Sequence, residues 1–302
     1  MNWASQLGKY GIQAGGGGLQ HRQYRFVLLG GIGVSGGSGR DGGGGGSSEY
    51  VINTTNLEAP VTFLYKRAEV GIGYAPPTNS GGYGAYISTA SHPSGVNSGN
   101  ILTAVGGGGG GAGSGGSAYD GGHGGGPAGG TGEPTSDNHG PGRGGTQTAG
   151  GDGKPDSIPN NGIFLRGGNG ETAPNYPTER GGGGGGGYYG GGGGAHNNGG
   201  GQSGSGGGGS GYSNTSYALF VSGSTTTNGR PGYTPTPVNM LGTGNIPSSG
   251  AAGPTSYGFV TSAPVDAGTA GPAASKDWTN LDITSSDKFI TLNIQTGEFT
   301  LS

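Results

Sequence analysis

Along the first two-thirds of the chain, short segments of apolar and polar alternation are each joined to a stretch of glycine. QYRFVLL at 23–29 reads as a strand feeding a glycine run, and EYVINT at 49–54 as a strand leaving one. VTFLYK at 61–66 and AEVGIG at 68–73 read as a pair of strands. YGAYIS at 83–88 and NILTAV at 100–105 repeat the strand-then-glycine order, and SYALFV at 216–221 closes the densest glycine region. Residues 222–275 are rich in Thr, Pro, Gly and Ala and predict irregular loops or extended surface structure. Near the C-terminus Ile290, Leu292 and Ile294 alternate with Thr291 and Asn293, a Gln-Thr-Gly turn ends at Gly297, and Phe299 and Leu301 resume the alternation, which predicts a β-hairpin. No segment carries the 3.6-residue period of an amphipathic helix.

This pattern divides the chain into an N-terminal arm (1–22), a strand-and-glycine domain (23–221), extended loops (222–275) and a hairpin segment (276–302). The arm bears Trp3, Leu7, Tyr10 and Ile12 on a polar background. Trp3, Leu7 and Tyr10, with Ile290, Leu292 and Ile294 of the hairpin, are the candidates for attachment or assembly contacts.

Composition narrows the classes. Glycine supplies 84 of 302 residues, and hydrophobic residues only 28%, too few for one conventional large core. Glycine comes in runs rather than at every third position and Pro numbers only 18, which excludes collagen. With no cysteine there is neither a disulfide framework nor a Cys-based zinc site. Thirteen Lys and Arg against sixteen Asp and Glu leave a net charge of −3 and no basic face for a polyanion. The N-terminus lacks a basic segment followed by a long apolar one, and no apolar run could span a bilayer, so neither a classical signal peptide nor membrane insertion is expected.

Gly/Ser linkers are flexible, but here the glycine runs are separated by aromatic and aliphatic segments, which points to order. Fixing a glycine costs roughly 0.5–1 kcal/mol more than fixing an alanine. A polyproline II-type helix has three residues per turn, a rise of about 3.1 Å and no internal hydrogen bonds, so its N–H and C=O groups point outward. Without Cβ atoms such helices can approach to backbone contact. Each interhelical N–H···O bond then returns about 0.5–1.5 kcal/mol net, and each Cα–H···O contact about 0.5–1 kcal/mol. Those returns match the entropic cost when a helix has several neighbours. Pure runs at 42–46, 106–111, 181–187, 190–194 and 206–209 supply the helices, and Asn-, Asp-, Pro- and Ser-bearing stretches such as 133–138 and 155–161 supply loops at the bundle's ends.

The sequence YRFVLLGGIG…GRDGGGGG…EYVIN, then GGYGAYIS…NILTAVGGGGGGAG, then RGGGGGGGYYGGGGG…GGGQSGSGGGGSGYS, resembles the glycine-rich domain of phage tail-fibre adhesins. It is also similar to the glycine-rich ectodomain of the anaplastic lymphoma kinase and leukocyte tyrosine kinase receptors. The resemblance covers roughly residues 24–221, and its most specific part is the strand-to-glycine junction at 101–111. It implies polyglycine II helices strung between short β-strands, an irregular, all-β-like fold with almost no α-helix. For the phage branch it implies loops between the helices that touch a host surface.

Catalytic motifs carry no weight in this composition. G-x-G-x-x-G matches arise by chance, and Gly153-Lys154 is followed by Pro155, which breaks a phosphate-binding loop. The histidines, His21, His92, His123, His139 and His196, have none of the short-range spacings of metal ligands. Arg143, Arg166 and Arg180 each precede Gly-Gly, as in RNA-binding RGG segments, but in an acidic chain a role at the end of a glycine helix fits better. Asn53-Thr54-Thr55 and Asn214-Thr215-Ser216 fit glycosylation acceptors, with no modification expected. Fifteen Tyr against seven Phe and two Trp is a biased aromatic set. Tyrosine rings can lid a bundle with their hydroxyls in water, or offer rigid amphipathic contact surface. Tyr119, Tyr176, Tyr188 and Tyr189, which interrupt glycine stretches, are the candidates for receptor contact.

The expectation is therefore a non-enzymatic virion structural protein without cofactor or metal, a phage tail-fibre or tip adhesin that binds a host surface receptor through loops on a rigid polyglycine II scaffold. It is expected on a tail fibre or capsid surface, with other virion proteins and a host surface glycan or outer-membrane protein as partners, alone or as a homo-oligomer. Nucleic acid is not an expected partner. A capsid decoration or assembly component, and an extracellular structural or filament protein, are the alternatives.

Overall fold

The computed structural model describes residues 22–36, 41–54, 61–73, 80–89, 98–111, 119–134, 140–153, 160–172, 181–196, 203–227, 257–264, 279–280, 288–292 and 299–302. Eleven strands run through them: β1 (Arg22–Leu29), β2 (Gly46–Asn53), β3 (Val61–Ala68), β4 (Gly84–Ser88), β5 (Ile101–Val105), β6 (Tyr212–Ser213), β7 (Phe220–Thr227), β8 (Tyr257–Pro264), β9 (Thr279–Asn280), β10 (Lys288–Leu292) and β11 (Phe299–Leu301). They form two antiparallel sheets, ordered β7-β2-β1-β8-β9 and β11-β10-β3-β4-β5-β6. The described residues hold no α-helix, and a 3-10 turn at Ser98–Asn100 leads into β5.

Side chains two residues apart share a sheet face. Tyr24, Phe26 and Leu28 of β1 and Tyr50 and Ile52 of β2 therefore meet Phe63 and Tyr65 of β3, Ile87 of β4, Leu102 and Val105 of β5 and Ile290 and Leu292 of β10 in one buried core between the sheets. Phe26 and Phe63 touch edge to face at 5.8 Å. Burying one such side chain stabilises by roughly 1.5–3 kcal/mol. The opposite face of β1 and β2 is also buried, and on it Arg25 Nε lies 2.7 Å from Glu49 Oε1.

Two strand expectations change. Residues 61–73 are not a strand pair: β3 continues through Ala68 and pairs with β4, while 69–73 runs on as part of the glycine region. Residues 222–275 are not uniformly irregular. β7 extends to Thr227, and β8 pairs with β1 along all eight of its residues. Strands such as FVSGSTTT draw their β preference from branched Thr rather than from apolar alternation, so the alternation pattern misses them. The C-terminal hairpin forms, with Ile290 opposite Leu301 and Leu292 opposite Phe299.

Beyond the strand ends the ladders do not stop. The last β1–β2 pair is Leu29 with Ser47. Gly30 N–H then donates to Gly46 O at 2.9 Å, and Gly33 N–H to Gly43 O at 2.9 Å, in the same register. The β3–β4 ladder continues from Ala68 and Gly84 to Gly81 N–H on Gly71 O, and the β4–β5 ladder from Ala85 and Val105 to Gly82 N–H on Gly108 O. In this region a chain bonds the same neighbour at every third residue. Gly107 and Gly110 donate to Gly186 and Gly183, Gly108 and Gly111 to Gly31 and Val34.

Four stretches form the interior. The stretch 181–187 is bonded to 69–73, 80–84, 106–111, 160–172, 190–195 and 203–209, on all sides, and 106–111, 190–195 and 203–209 are surrounded in the same way. The stretches 30–34, 41–46, 119–126, 128–134, 140–146, 149–153, 160–163, 165–172, 69–73 and 80–84 close a ring around them. An ideal Cβ on Gly184 would collide with the carbonyl of Gly191, and one on Gly185 with that of Gly107, so these positions admit no side chain. Much of the ring carries one outward residue in three. Ile163, Arg166, Asn169 and Thr172 are all exposed, as are Ala128, Thr131 and Pro134.

The two ends of this lattice differ. On the side of the sheets, described tight turns reverse the chain: 125–128, with Gly125 at φ 88° and Gly126 at φ 66°, 146–149, 163–166 and 187–190. On the remote side the described lattice stretches end at residues 36, 73, 111, 134, 153, 172 and 196 and begin again at 41, 80, 119, 140, 160, 181 and 203.

Candidate functional site

At the remote end, the N–H groups of the outermost residues run out of lattice partners and take carboxylates instead. Asp41 N–H donates to Asp120 Oδ1 at 2.8 Å, Asp120 N–H to Glu133 Oε2 at 3.2 Å, and His196 N–H to Glu171 Oε2 at 2.9 Å. Burial pushes the Asp120 carboxyl above the usual aspartate value; the Asp41 hydrogen bond opposes this, and the Glu133 and Asp41 charges add to it. Tyr119 is half-buried beside this cluster.

At the sheet side, the turns 163–166 and 187–190 pack against residues of β3, β4 and β5 and against Tyr212 of β6. Tyr188 sits among them. It stacks on Tyr212 with ring centres 4.1 Å apart, lies edge-on to Phe164 at 5.5 Å and to Tyr189 at 5.2 Å, and packs with Tyr86, Ile101 and Ala104 of the sheet. Phe164 also meets Tyr189 at 5.6 Å. Local hydrogen bonds fix the backbone here: Tyr188 N–H donates to Ser210 O, Ser210 N–H to Tyr189 O, Tyr189 N–H to Ser210 Oγ, and Ser210 Oγ–H to Thr146 O at 2.7 Å. Burial, then the neighbouring Tyr212 and Tyr189, raise the Tyr188 phenol above its ordinary value, with the Ser98 side chain opposing.

Phe164 and Leu165 form the centre of the Ile163–Arg166 turn, closed by reciprocal bonds between those two residues. Leu165 sits at φ 59°, a left-handed conformation that branched and bulky residues avoid. Among the described residues it is the one non-glycine with positive φ. Asn or Gly would occupy such a corner without strain. Leu165 instead contributes an apolar side chain to the Tyr188 cluster.

The expected receptor tyrosines do not form one site. Tyr119 belongs to the remote end, Tyr188 and Tyr189 to the sheet side, and Tyr176 lies outside the described residues. Tyr188 is only 5% exposed, so its ring supports its neighbours rather than offering surface, while Tyr189 is half-exposed. Of the expected attachment residues, Ile290 and Leu292 are fully buried, because their alternation closes the core between the sheets instead of facing another subunit. Trp3, Leu7, Tyr10 and Ile294 lie outside the described residues. Phe164, Leu165 and Tyr212 escaped the sequence reading, although an Ile-Phe-Leu island between Asn160-Asn161-Gly162 and Arg166-Gly167-Gly168 is a signal that could have found them.

Arg143 and Arg166 project from ring stretches, and Arg143 Nη1 approaches Asp152 Oδ2 at 3.6 Å with both side chains well exposed. Such a pair contributes little. His196 is buried and His123 half-buried, where burial lowers its pKa. Among the described residues no three His, Asp or Glu side chains gather to share a metal ion. No helix in them is long and apolar enough to cross a membrane. No protein-family model matches the chain, and no curated protein matches it either.

Proposed function

We propose that the glycine stretches are polyglycine II helices and that the chain is a virion structural protein, the tip adhesin of a phage tail fibre, which binds a host surface glycan or outer-membrane protein through loops at the remote end. Bonding of the same neighbour at every third residue, with neighbours on all sides of the interior stretches, supports the helix assignment. Experimental backbone angles near φ −75° and ψ +145° at Gly181 to Gly187 test it; α or sheet values there would remove it.

The single observation that carries the adhesin reading is the polarity of the lattice. One end of the lattice runs on into the two sheets, while at the other its outermost N–H groups are taken by carboxylate side chains, and binding residues concentrate on segments held by such rigid frameworks. The two sheets anchor the other end. No reaction is part of this reading. The test is attachment by the chain fused to a fluorescent protein, scored on a panel of bacterial hosts. Replacing 112–118, 135–139 and 197–202 with short Gly-Ser connectors should abolish cell binding without lowering the melting temperature. Attachment that survives the exchange would favour a capsid decoration or assembly role.

A further inference from the structure

We propose that the aromatic cluster where the sheet-side turns pack against β3 to β6 is a binding site for a neutral saccharide, built from Phe164, Leu165, Tyr189 and Tyr212 around the buried Tyr188. Tyr188 and Tyr86 are nearly fully buried, and the half-buried side chains of Phe164, Tyr189 and Tyr212 pack against them, with contacting rings among Phe164, Tyr188, Tyr189 and Tyr212 centred 4.1–5.6 Å apart. Ile163, 48% exposed, lies on the same turn as Phe164 and Leu165.

The chemistry selects the occupant. Three of the four clustered rings are phenols, and Ser98, Gln147 and Arg166 are exposed side chains on turns at the same end of the lattice. Rings whose faces are apolar and whose edges carry hydroxyls match a pyranose, which offers C–H groups on its faces and hydroxyls at its rim. A protein partner is the poorer fit. With Tyr188 and Tyr86 buried, the exposed apolar surface comes from a few half-covered residues, whereas a standard interface needs about 800 Å² on each side. A charged ligand finds no basic cluster there. Leu165 adds a geometric feature to the same cluster: it holds a left-handed conformation, and stored backbone strain collects at ligand sites.

This site stands at the opposite end from the proposed host-binding loops, and its test is separate from theirs. Saturation-transfer NMR and intrinsic tyrosine fluorescence would be recorded with maltohexaose, cellohexaose and chitohexaose. At least one should bind, with Tyr189→Ala and Phe164→Ala each weakening it about tenfold or more. Tyr189→Phe, which keeps the ring and its packing but removes the hydroxyl, should weaken binding measurably though less than Tyr189→Ala, and serves where the alanine variants unfold; unchanged affinity in it would count against the site. Thr131→Ala on a ring stretch should change nothing. Absence of binding by all three sugars, or binding unaffected in the folded Tyr189 and Phe164 variants, would overturn the site. A loop-exchanged chain that no longer attaches to cells yet still binds sugar would leave the proposal standing.

Discussion

Gly31 donates its N–H to the carbonyl of Tyr83 at 2.8 Å, joining the continuations of β1 and β4, two strands that belong to different sheets. A few residues earlier the same strands are held apart by the core side chains Phe26, Leu28, Ala85 and Ile87, at the roughly 10 Å spacing of stacked sheets. Where side chains end, the sheets close to hydrogen-bonding distance and bond each other as well as their in-sheet neighbours. The sandwich and the glycine lattice are thus one structure, whose transition is set by the residue at which glycine begins.

That continuity makes interior glycines irreplaceable in a way ring residues are not. Gly184→Ala should destabilise by about 1–3 kcal/mol through overpacking against the Gly191 carbonyl, despite the alanine's lower unfolded-state entropy. Thr131→Ala, on an exposed ring position, should stay within about 0.5 kcal/mol. Thermal or urea melts of the two variants decide it, and a rise in midpoint for Gly184→Ala would contradict interior packing.

The sequence announced this division in part. Pure glycine at 106–111, 181–187, 190–194 and 206–209 marks all four interior stretches, because a chain enclosed on all sides has no direction left for a Cβ. The run at 42–46 is an exception: bonding puts it in the ring, yet its residues are buried. Core strands were legible from alternation in YRFVLL and KFITL, whereas β8 was not, since YGFVTSAP mixes Gly, Ser and Pro with its apolar residues. The aromatic cluster was half legible. Tyr188 and Tyr189 stood out as interruptions of glycine, but Phe164 and Tyr212 reach them only through lattice bonds between residues far apart in sequence.

Leu165 offers a test of where strain outweighs packing. Leu165→Gly should relieve the left-handed corner but lose an apolar contact, so its net effect should be within about 1 kcal/mol. Leu165→Val, with a β-branched side chain in the same conformation, should be less stable than Leu165→Gly by about 1–2 kcal/mol. Urea denaturation of both proteins checks the order; the reverse order would mean that packing alone governs the turn.

The buried Arg25–Glu49 pair should behave asymmetrically. Arg25→Met alone leaves a carboxylate in the interior and should cost about 3–5 kcal/mol, while Arg25→Met with Glu49→Leu should recover the loss or exceed wild-type stability. Calorimetric melts of the single and double variants would show it; equal losses in both would place the effect in packing rather than charge.

Burial raises the Glu49 carboxyl above its ordinary value, with the Arg25 charge opposing. The folded protein therefore holds this proton more tightly than the unfolded chain. Its contribution to stability is complete below the ordinary glutamate value and is lost as pH rises through the higher folded value. Wild type should lose this increment relative to Glu49→Gln, which cannot titrate, as pH rises above the ordinary glutamate range. Urea melts of both at several pH values measure the difference, and a constant difference would show that Glu49 does not titrate in this window.

Hydrogen exchange reads the lattice directly. An interior amide such as Gly185 N–H, bonded to Gly207 O, or Gly191 N–H, bonded to Gly185 O, is enclosed by other glycine stretches and has no local route to solvent. These amides should exchange only through global unfolding, with protection equal to that of Phe26 and Phe63 in the core. Thr148 N–H, bonded to Thr146 Oγ1 on an exposed turn, should exchange faster by orders of magnitude. If Gly185 and Gly191 exchanged as fast as Thr148, the interior stretches would be opening independently of the sandwich. The lattice could then not transmit rigidity from the sheets to the remote loops, and the adhesin reading would lose its mechanical basis.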